Sequence, residues 1–253
     1  MGSCFSGIGG LELGLEWTGG FETRWQIEVD PYASAVLAKH WPDVKRYADI
    51  RTVTELDGVD VICGGFPCQD VSRAGTRAGI SGERSGLYRE LLRVVGLVRP
   101  RYVIMENVAA LLGDGMGTVI GDLAEAGYDA EWDLVSACEF GAPHTRERVF
   151  IVAYPRGESR PLQVFDWDGR EEKGRHQVAK EWGKNRLVDQ MGRKADRGIQ
   201  GNAEWLPAPE PPWMAHGFPE ELGQIRCYGN AVVPQVAQKI GQMILDWESR
   251  HEI

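Results

Sequence analysis

Apolar residues recur along this chain in two alternating rhythms. Short apolar runs stand at Val59, Val61 and Ile62, from Arg101 to Met105, around Trp132 to Val135, and from Arg148 to Ala153. Each is too brief for a helix and is bounded by glycine, proline or charge, so each reads as a buried strand. Trp25, Ile27 and Val29 give a further strand, with Glu28 and Asp30 near its carboxyl end. Between these runs the spacing becomes helical. Asp30-Pro31 is a good N-cap and first helical position, and the stripe runs through Tyr32, Val36 and Leu37 to Trp41 before Pro42 stops it. Leu87, Leu91, Val94, Val95 and Val98 share one helix face that Pro100 terminates, and another helix is expected over residues 117–126. Leu11 to Trp17 alternates like a strand, yet Leu11 and Leu15 also share a helix face, so periodicity alone does not decide it. Strand alternating with helix predicts an α/β fold, a mostly parallel sheet with helices on both faces.

The rhythm breaks at Pro155. Residues 156–203 are polar, without sustained periodicity, and slightly richer in basic than acidic side chains; Leu206-Pro207-Ala208-Pro209-Glu210-Pro211-Pro212 then forms a stiff linker. Val236, Ile240, Met243 and Ile244 restore a helical stripe that is expected to pack back on the first unit. The predicted organisation is therefore a discontinuous large domain, residues 1–155 and 225–253, around a small irregular one, residues 156–224.

A chain of 253 residues, 43% hydrophobic and 26% charged, can bury a sizeable core. No apolar run approaches the roughly 20 residues that span a bilayer and no basic-then-apolar leader opens the sequence, so a cytoplasmic location is expected. The five cysteines lack a CxxC pair, which argues against a disulfide framework or a zinc site, and no metal is expected. A net charge of −9 looks wrong for a nucleic-acid binder, but the charge is uneven. From Arg73 to Arg101 seven arginines, Arg73, Arg77 and Arg84 among them, face only Glu83 and Glu90, a local excess of five. Phosphate contacts depend on such patches rather than on the whole-chain sum.

The stretch Val61-Ile62-Cys63-Gly64-Gly65-Phe66-Pro67-Cys68-Gln69-Asp70-Val71-Ser72 concentrates candidate chemistry. A strand empties into a loop where two glycines and a proline fix the backbone just before Cys68. A thiol at the carboxyl end of a parallel strand faces the crevice where open α/β sheets bind ligands, and nearby cations can lower its pKa there. Cys63, four residues earlier than the loop's proline, reads as core. The glycine turn Gly7-Ile8-Gly9-Gly10 lets backbone amides approach a ligand at the start of a helix, and an acidic residue some 20 positions later, Glu28, stands where nucleotide-binding α/β domains hold ribose hydroxyls.

Gly-Gly-Phe-Pro-Cys-Gln closely resembles the catalytic loop of the cytosine-C5 DNA methyltransferases. Four more motifs of that family follow its order: Phe5-Ser6-Gly7-Ile8-Gly9-Gly10, Glu106-Asn107-Val108, Arg146-Glu147-Arg148 and Gly229-Asn230-Ala231-Val232-Val233-Pro234. Any one could occur by chance; five in sequence are very unlikely to. The resemblance implies the Rossmann-like fold of S-adenosylmethionine-dependent methyltransferases and favours helix for Leu11 to Trp17. It departs from the family pattern in a very short first strand and in His144, where glutamine is usual and where an imidazole can change charge near neutral pH.

By this resemblance Cys68 is the nucleophile that adds to C6 of cytosine. Glu106 holds N3 and the exocyclic amine, Arg148 binds O2 and pairs with Glu106, and Arg146 supports the pocket and the thiolate. S-adenosylmethionine, leaving as S-adenosylhomocysteine, would lie against Phe5, Ser6, Gly7, Gly9, Gly10, Glu28, Val29, Asp49, Ile50, Pro67, Asn230 and Ala231. Of these, Val29 lies against the adenine ring and Asp49-Ile50 contact its edge, though Asp49 alone could be a turn former. Gln69, Ser72, Arg73, Arg84 and His144 would face double-stranded DNA whose target base is swung out of the stack. The segment between the Arg-Glu-Arg strand and the Gly-Asn-Ala-Val turn normally sets sequence choice, and its shortness here implies a brief site. A monomer acting in restriction-modification, or protecting phage or mobile DNA, is expected. A tRNA cytosine-C5 methyltransferase and a catalytically silent DNA-binding remnant stay open as alternatives.

Overall fold

A computed structural model describes residues 1–67, 86–140, 142, 145–157, 227 and 230–250. Among the described residues seven strands form one sheet: β1 (Gly2–Cys4), β2 (Trp25–Ile27), β3 (Lys45–Tyr47), β4 (Val61–Gly65), β5 (Tyr102–Val108), β6 (Tyr128–Ser136) and β7 (Glu147–Pro155), in the order β3-β2-β1-β4-β5-β7-β6. All pairings among β1 to β5 are parallel, while β7 runs antiparallel to both neighbours, β5 and β6. The sheet is thus mostly parallel, with one reversed strand inserted near its edge. β4 and most of β5 are apolar on both faces because both are covered.

One face carries Trp25, Ile27, Ile62, Val103, Met105 and Ile151, packed with α3 (Gly86–Val98) and α5 (Met116–Glu125). A short α4 (Leu111–Asp114) precedes α5. The other face carries Val61, Cys63, Tyr102, Ile104, Phe150 and Val152, packed with α1 (Gly10–Glu16) and α6 (Pro234–Arg250). The stripe Val236, Ile240 and Ile244 is buried there, so the last helix does return to the sheet. Close approach of α6 to α1 depends on Gly14, where a Cβ would stand 2.0 Å from the Pro234 carbonyl oxygen and 2.7 Å from the Ala237 Cβ.

α2 (Pro31–His40) starts as its sequence predicts: the Asp30 carboxylate accepts from the Tyr32 and Ala33 amides, and Pro31 follows it. Two elements escaped the periodicity. β3 is three largely polar residues, held by pairing to β2 rather than by any apolar pattern, and α4 is a single turn. The first strand is short, as expected, but fully buried. Gly64 and Gly65, expected in a loop, instead end β4. Gly64 lies so close to β1 that a Cβ would meet the Cys4 carbonyl oxygen at 2.3 Å, so the glycine serves strand packing rather than turn geometry.

Most of the expected recognition segment, and the surroundings of Cys68, lie outside the described residues. Among the described residues no helix is long and apolar enough to cross a membrane.

Candidate active site

The carboxyl ends of β1, β2, β4 and β5 converge on one edge of the sheet, and the candidate residues collect there. At β1 the chain turns sharply. Phe5 adopts φ 54, Gly7 φ 56 and Gly9 φ 88. The left-handed backbone suits the glycines but strains Phe5, which stays put because its ring packs on the core. Open space stands where a Gly7 side chain would be. The Gly7 amide donates to Glu28 Oε2 at 2.7 Å and the Asp30 amide to Glu28 Oε1 at 2.7 Å, so Glu28 ties the glycine turn to the start of α2 while half-exposed. Val29 beside it is 68% exposed, an apolar side chain with nothing covering it. A carboxylate rim, an uncovered apolar residue and an unfilled glycine turn fit a ribose-bearing ligand with an aromatic base.

Ile50 is buried at the start of a 3-10 turn capped by Asp49, whose side chain accepts from the Arg51 amide and pairs with the Arg51 guanidinium at 2.7 Å. That pairing, largely in solvent, holds the Asp49 carboxyl below its ordinary pKa. Its side chain is therefore occupied in the turn. Sequence reasoning missed what fixes this turn: Arg93 on α3 donates from Nη1 to the Val53 carbonyl at 2.8 Å and from Nη2 to the Ile50 carbonyl at 2.6 Å. No local pattern pointed to it, because the contact joins residues 40 or more positions apart.

The second half of the site lies where β4 and β5 end beside the reversed β7. Glu106 is buried near the end of β5 and meets Arg148 across the sheet, Nε to Oε1 at 2.9 Å. Register makes this possible: Arg148 is paired with Val108, and Glu106 with Phe150. Burial raises the Glu106 pKa, and Arg148 first, then Arg146, pulls it back down. Arg146, with φ 34, donates from Nη2 to the Ala231 carbonyl at 2.7 Å; burial and the like charge of Arg148 lower its pKa, against Glu106. Arginine still remains a cation. A small cleft beside the two arginines is lined by Val135, Phe150, Val232 and Val233.

Asn107, quoted in its motif without a role, proves to be a structural link. Its Nδ2 donates to the Phe66 carbonyl at 3.1 Å and its Oδ1 accepts from the Val108 amide at 2.8 Å. The backbone two residues ahead of Cys68 is thereby fixed to the strand that carries Glu106. Phe66 is also packed on Tyr88 of α3, ring centroids 4.9 Å apart, and Pro67 beyond it is exposed. Ser6 is buried and Gly10 sits directly beneath Val232, so the 230–232 turn closes over the start of α1. Asn230 is exposed. Cys63 is wholly buried. Cys68, Gln69, Ser72, Arg73, Arg84 and His144 lie outside the described residues. Among the described residues no group of three or more potential ligands could hold a metal ion.

Comparison with known proteins gives one consistent picture. The profile of the family described as C-5 cytosine-specific DNA methylase matches residues 1–210. Type II methyltransferase M2.BsuMI of Bacillus subtilis is 43% identical over 159 residues, covering 60% of this chain and 41% of that protein. Type II methyltransferase M.Bsp6I of a Bacillus species is 36% identical over 162 residues, covering 61% and 51%. The chain thus spans about 41–51% of the length of these curated relatives. The crystal structure of the S. pombe Dnmt2 methyltransferase superposes with a TM-score of 0.61 at 17% identity, covering 97% of this chain and 98% of that one, a likeness of fold.

Proposed function

The chain belongs to the C-5 cytosine-specific DNA methylase family, and from that premise we propose that it transfers a methyl group from S-adenosylmethionine to C5 of a cytosine flipped out of duplex DNA. The observation that carries this reading is the Glu106–Arg148 pair at 2.9 Å, a buried acid and a half-buried cation at the sheet edge where the Phe66-Pro67 backbone leads to Cys68. C5 of cytosine is too weak a nucleophile to attack a methyl donor directly. Attack of the Cys68 thiolate on C6 forms an S–C6 bond and makes C5 an enamine carbon, splitting one difficult step into easier ones. After C5 is methylated, loss of its proton lets the S–C6 bond break and frees the thiolate.

Glu106 is suited to the charge that builds at N3. Its raised pKa lets it share a proton with the ring nitrogen, and its carboxyl group can accept from the exocyclic amine. Arg148, held by Glu106, presents a cation toward the cytosine O2, and Arg146 stiffens the same corner through the Ala231 carbonyl. S-adenosylmethionine supplies an electrophilic methyl on a sulfonium. The residues that would hold it are the glycine turn with its unfilled space at Gly7, Glu28 for the ribose, Val29 and Ile50 for the base, and the Asn230-Ala231 turn. Duplex DNA, a short recognition site read by residues 156–224, and service in restriction-modification complete the proposal.

Incubation with labelled S-adenosylmethionine and duplexes carrying 5-fluorocytosine tests it. A covalent adduct is expected with the native chain and none with Cys68→Ser, while Glu106→Gln should slow methyl transfer to ordinary duplex roughly a hundredfold or more. An adduct that forms on tRNA but not on DNA, or that persists in Cys68→Ser, overturns the proposal.

A further inference from the structure

Glu12 stands in the first turn of α1, directly after the glycine turn, and is completely buried. Its carboxyl group faces a row of side chains in register across three strands, Gln26 on β2, Ser3 on β1 and Cys63 on β4. Ser6 of the glycine turn closes the ring, its hydroxyl donating to Ser3 Oγ at 2.9 Å. Ser3, Ser6 and Gln26 lie near enough to favour the ionised carboxylate by hydrogen bonding, although neither Glu12 oxygen makes a hydrogen bond of regular geometry. The groups facing Glu12 are thus hydroxyls, an amide and the Cys63 thiol, with Cys4 on the opposite face of the sheet; the next charges out are Arg93, felt by Cys4, and the Met1 amino group, felt by Cys63. A buried carboxylate without a close cation is costly, and something must compensate it or it takes up a proton.

We propose that Glu12 is a specificity-determining residue of the donor site: its carboxylate, behind the glycine turn, favours the cationic sulfonium of S-adenosylmethionine over the neutral thioether of S-adenosylhomocysteine. This rests on reading the open space beside Gly7 as part of the donor pocket. The physical logic is charge balance in a poorly polarisable region. The ring of Ser3, Ser6 and Gln26 touches the same turn that would line the donor, so a positive ligand there acts on Glu12 through protein rather than water, where screening is weak. The methylated and demethylated ligands share adenosine, amine and carboxylate and differ by one unit of charge at sulfur. Burial lifts the Glu12 pKa to about 7, so near neutrality the group is divided between its two forms and an arriving cation shifts it toward the ionised one. By linkage, affinity for the cation then rises as pH passes upward through that value, while affinity for the neutral product does not. The consequence is release of product in favour of fresh donor.

Calorimetric binding of each ligand to the full chain at pH 6 and pH 8.5, with Glu12→Gln alongside, tests this. In the native chain the preference for S-adenosylmethionine over S-adenosylhomocysteine should grow roughly three- to tenfold between the two pH values, the scale a single partly screened charge can supply. In Glu12→Gln it should not exceed the change that the ligands' own amino groups impose on both proteins. Equal pH dependence in the two proteins, or none in the native chain, overturns the inference while leaving the donor pocket standing. Failure of the folded native chain to bind either ligand removes the pocket itself. Should Glu12→Gln not fold, donor binding to the native chain near pH 7 in buffers of different ionisation enthalpy gives the answer: more protons released with the sulfonium than with the thioether supports the inference, and equal release refutes it.

Discussion

Replacing Glu12 with Gln should remove a pH-dependent weakness from the fold, and the size of the effect can be worked from burial. The carboxyl group ordinarily titrates at 4.5 and in the folded chain at about 7, the shift being dominated by desolvation and opposed by the polar side chains of Ser3, Ser6 and Gln26 close by. A folded pKa above the unfolded one means that the folded state binds the proton more tightly. The group's contribution is therefore fully present below pH 4.5 and is lost as pH rises through about 7. The whole span is about 3 kcal/mol at about 1.4 kcal/mol per pKa unit, of which about 2.5 kcal/mol falls between pH 5 and pH 8.5. Glutamine is nearly isosteric and does not titrate, so any fixed packing penalty it carries is the same at both pH values. Urea unfolding of the two proteins at pH 5 and pH 8.5 is the assay. The stability difference should move in the variant's favour by about 2.5 kcal/mol across that interval. Curves that stay parallel to within about 0.5 kcal/mol would refute the reasoning, since such a result means Glu12 titrates alike in both states.

Two further outcomes follow from close contacts elsewhere. Gly14→Ala pushes a Cβ against the Pro234 carbonyl and Ala237, so α6 must move away from α1; a loss of roughly 1–3 kcal/mol is expected, set against the better helix propensity of alanine, and an unchanged melting temperature would show that the helices are not in close contact. Asn107→Ala removes the donor to the Phe66 carbonyl, loosening the backbone that leads to Cys68; methyl transfer should fall roughly ten- to hundredfold while donor affinity stays nearly constant, and an equal loss in affinity would mean the link holds the donor pocket rather than the nucleophile.

Much of the site was legible because its signals are local. Asp30-Pro31 predicts its own helix start without help from the rest of the chain, and the cap is formed as expected. The apolar runs at Val61-Ile62 and from Arg101 to Met105 identify strands buried on both faces, and the motif residues follow at their ends. Asn107 was visible within its motif, but its task was not, since its partner Phe66 lies 41 positions away. Arg93 gave no sign at all: on the sequence it is one arginine among seven in a basic stretch, and only the packing of α3 against the 50–53 turn turns it into a clamp.

By itself the sequence determined the alternation of strands and helices, the family to which the motifs belong, and the candidates for nucleophile, acid and cations, because periodicity, capping and motif chemistry are written in neighbouring residues. Tertiary structure decided what register and burial decide. Reversal of β7 set Arg148 across from Val108 and so within reach of Glu106, and the stacking of α1 over three aligned strands enclosed Glu12 among uncharged groups. Both depend on which strands lie side by side and on how much water they exclude, quantities that only a folded chain possesses.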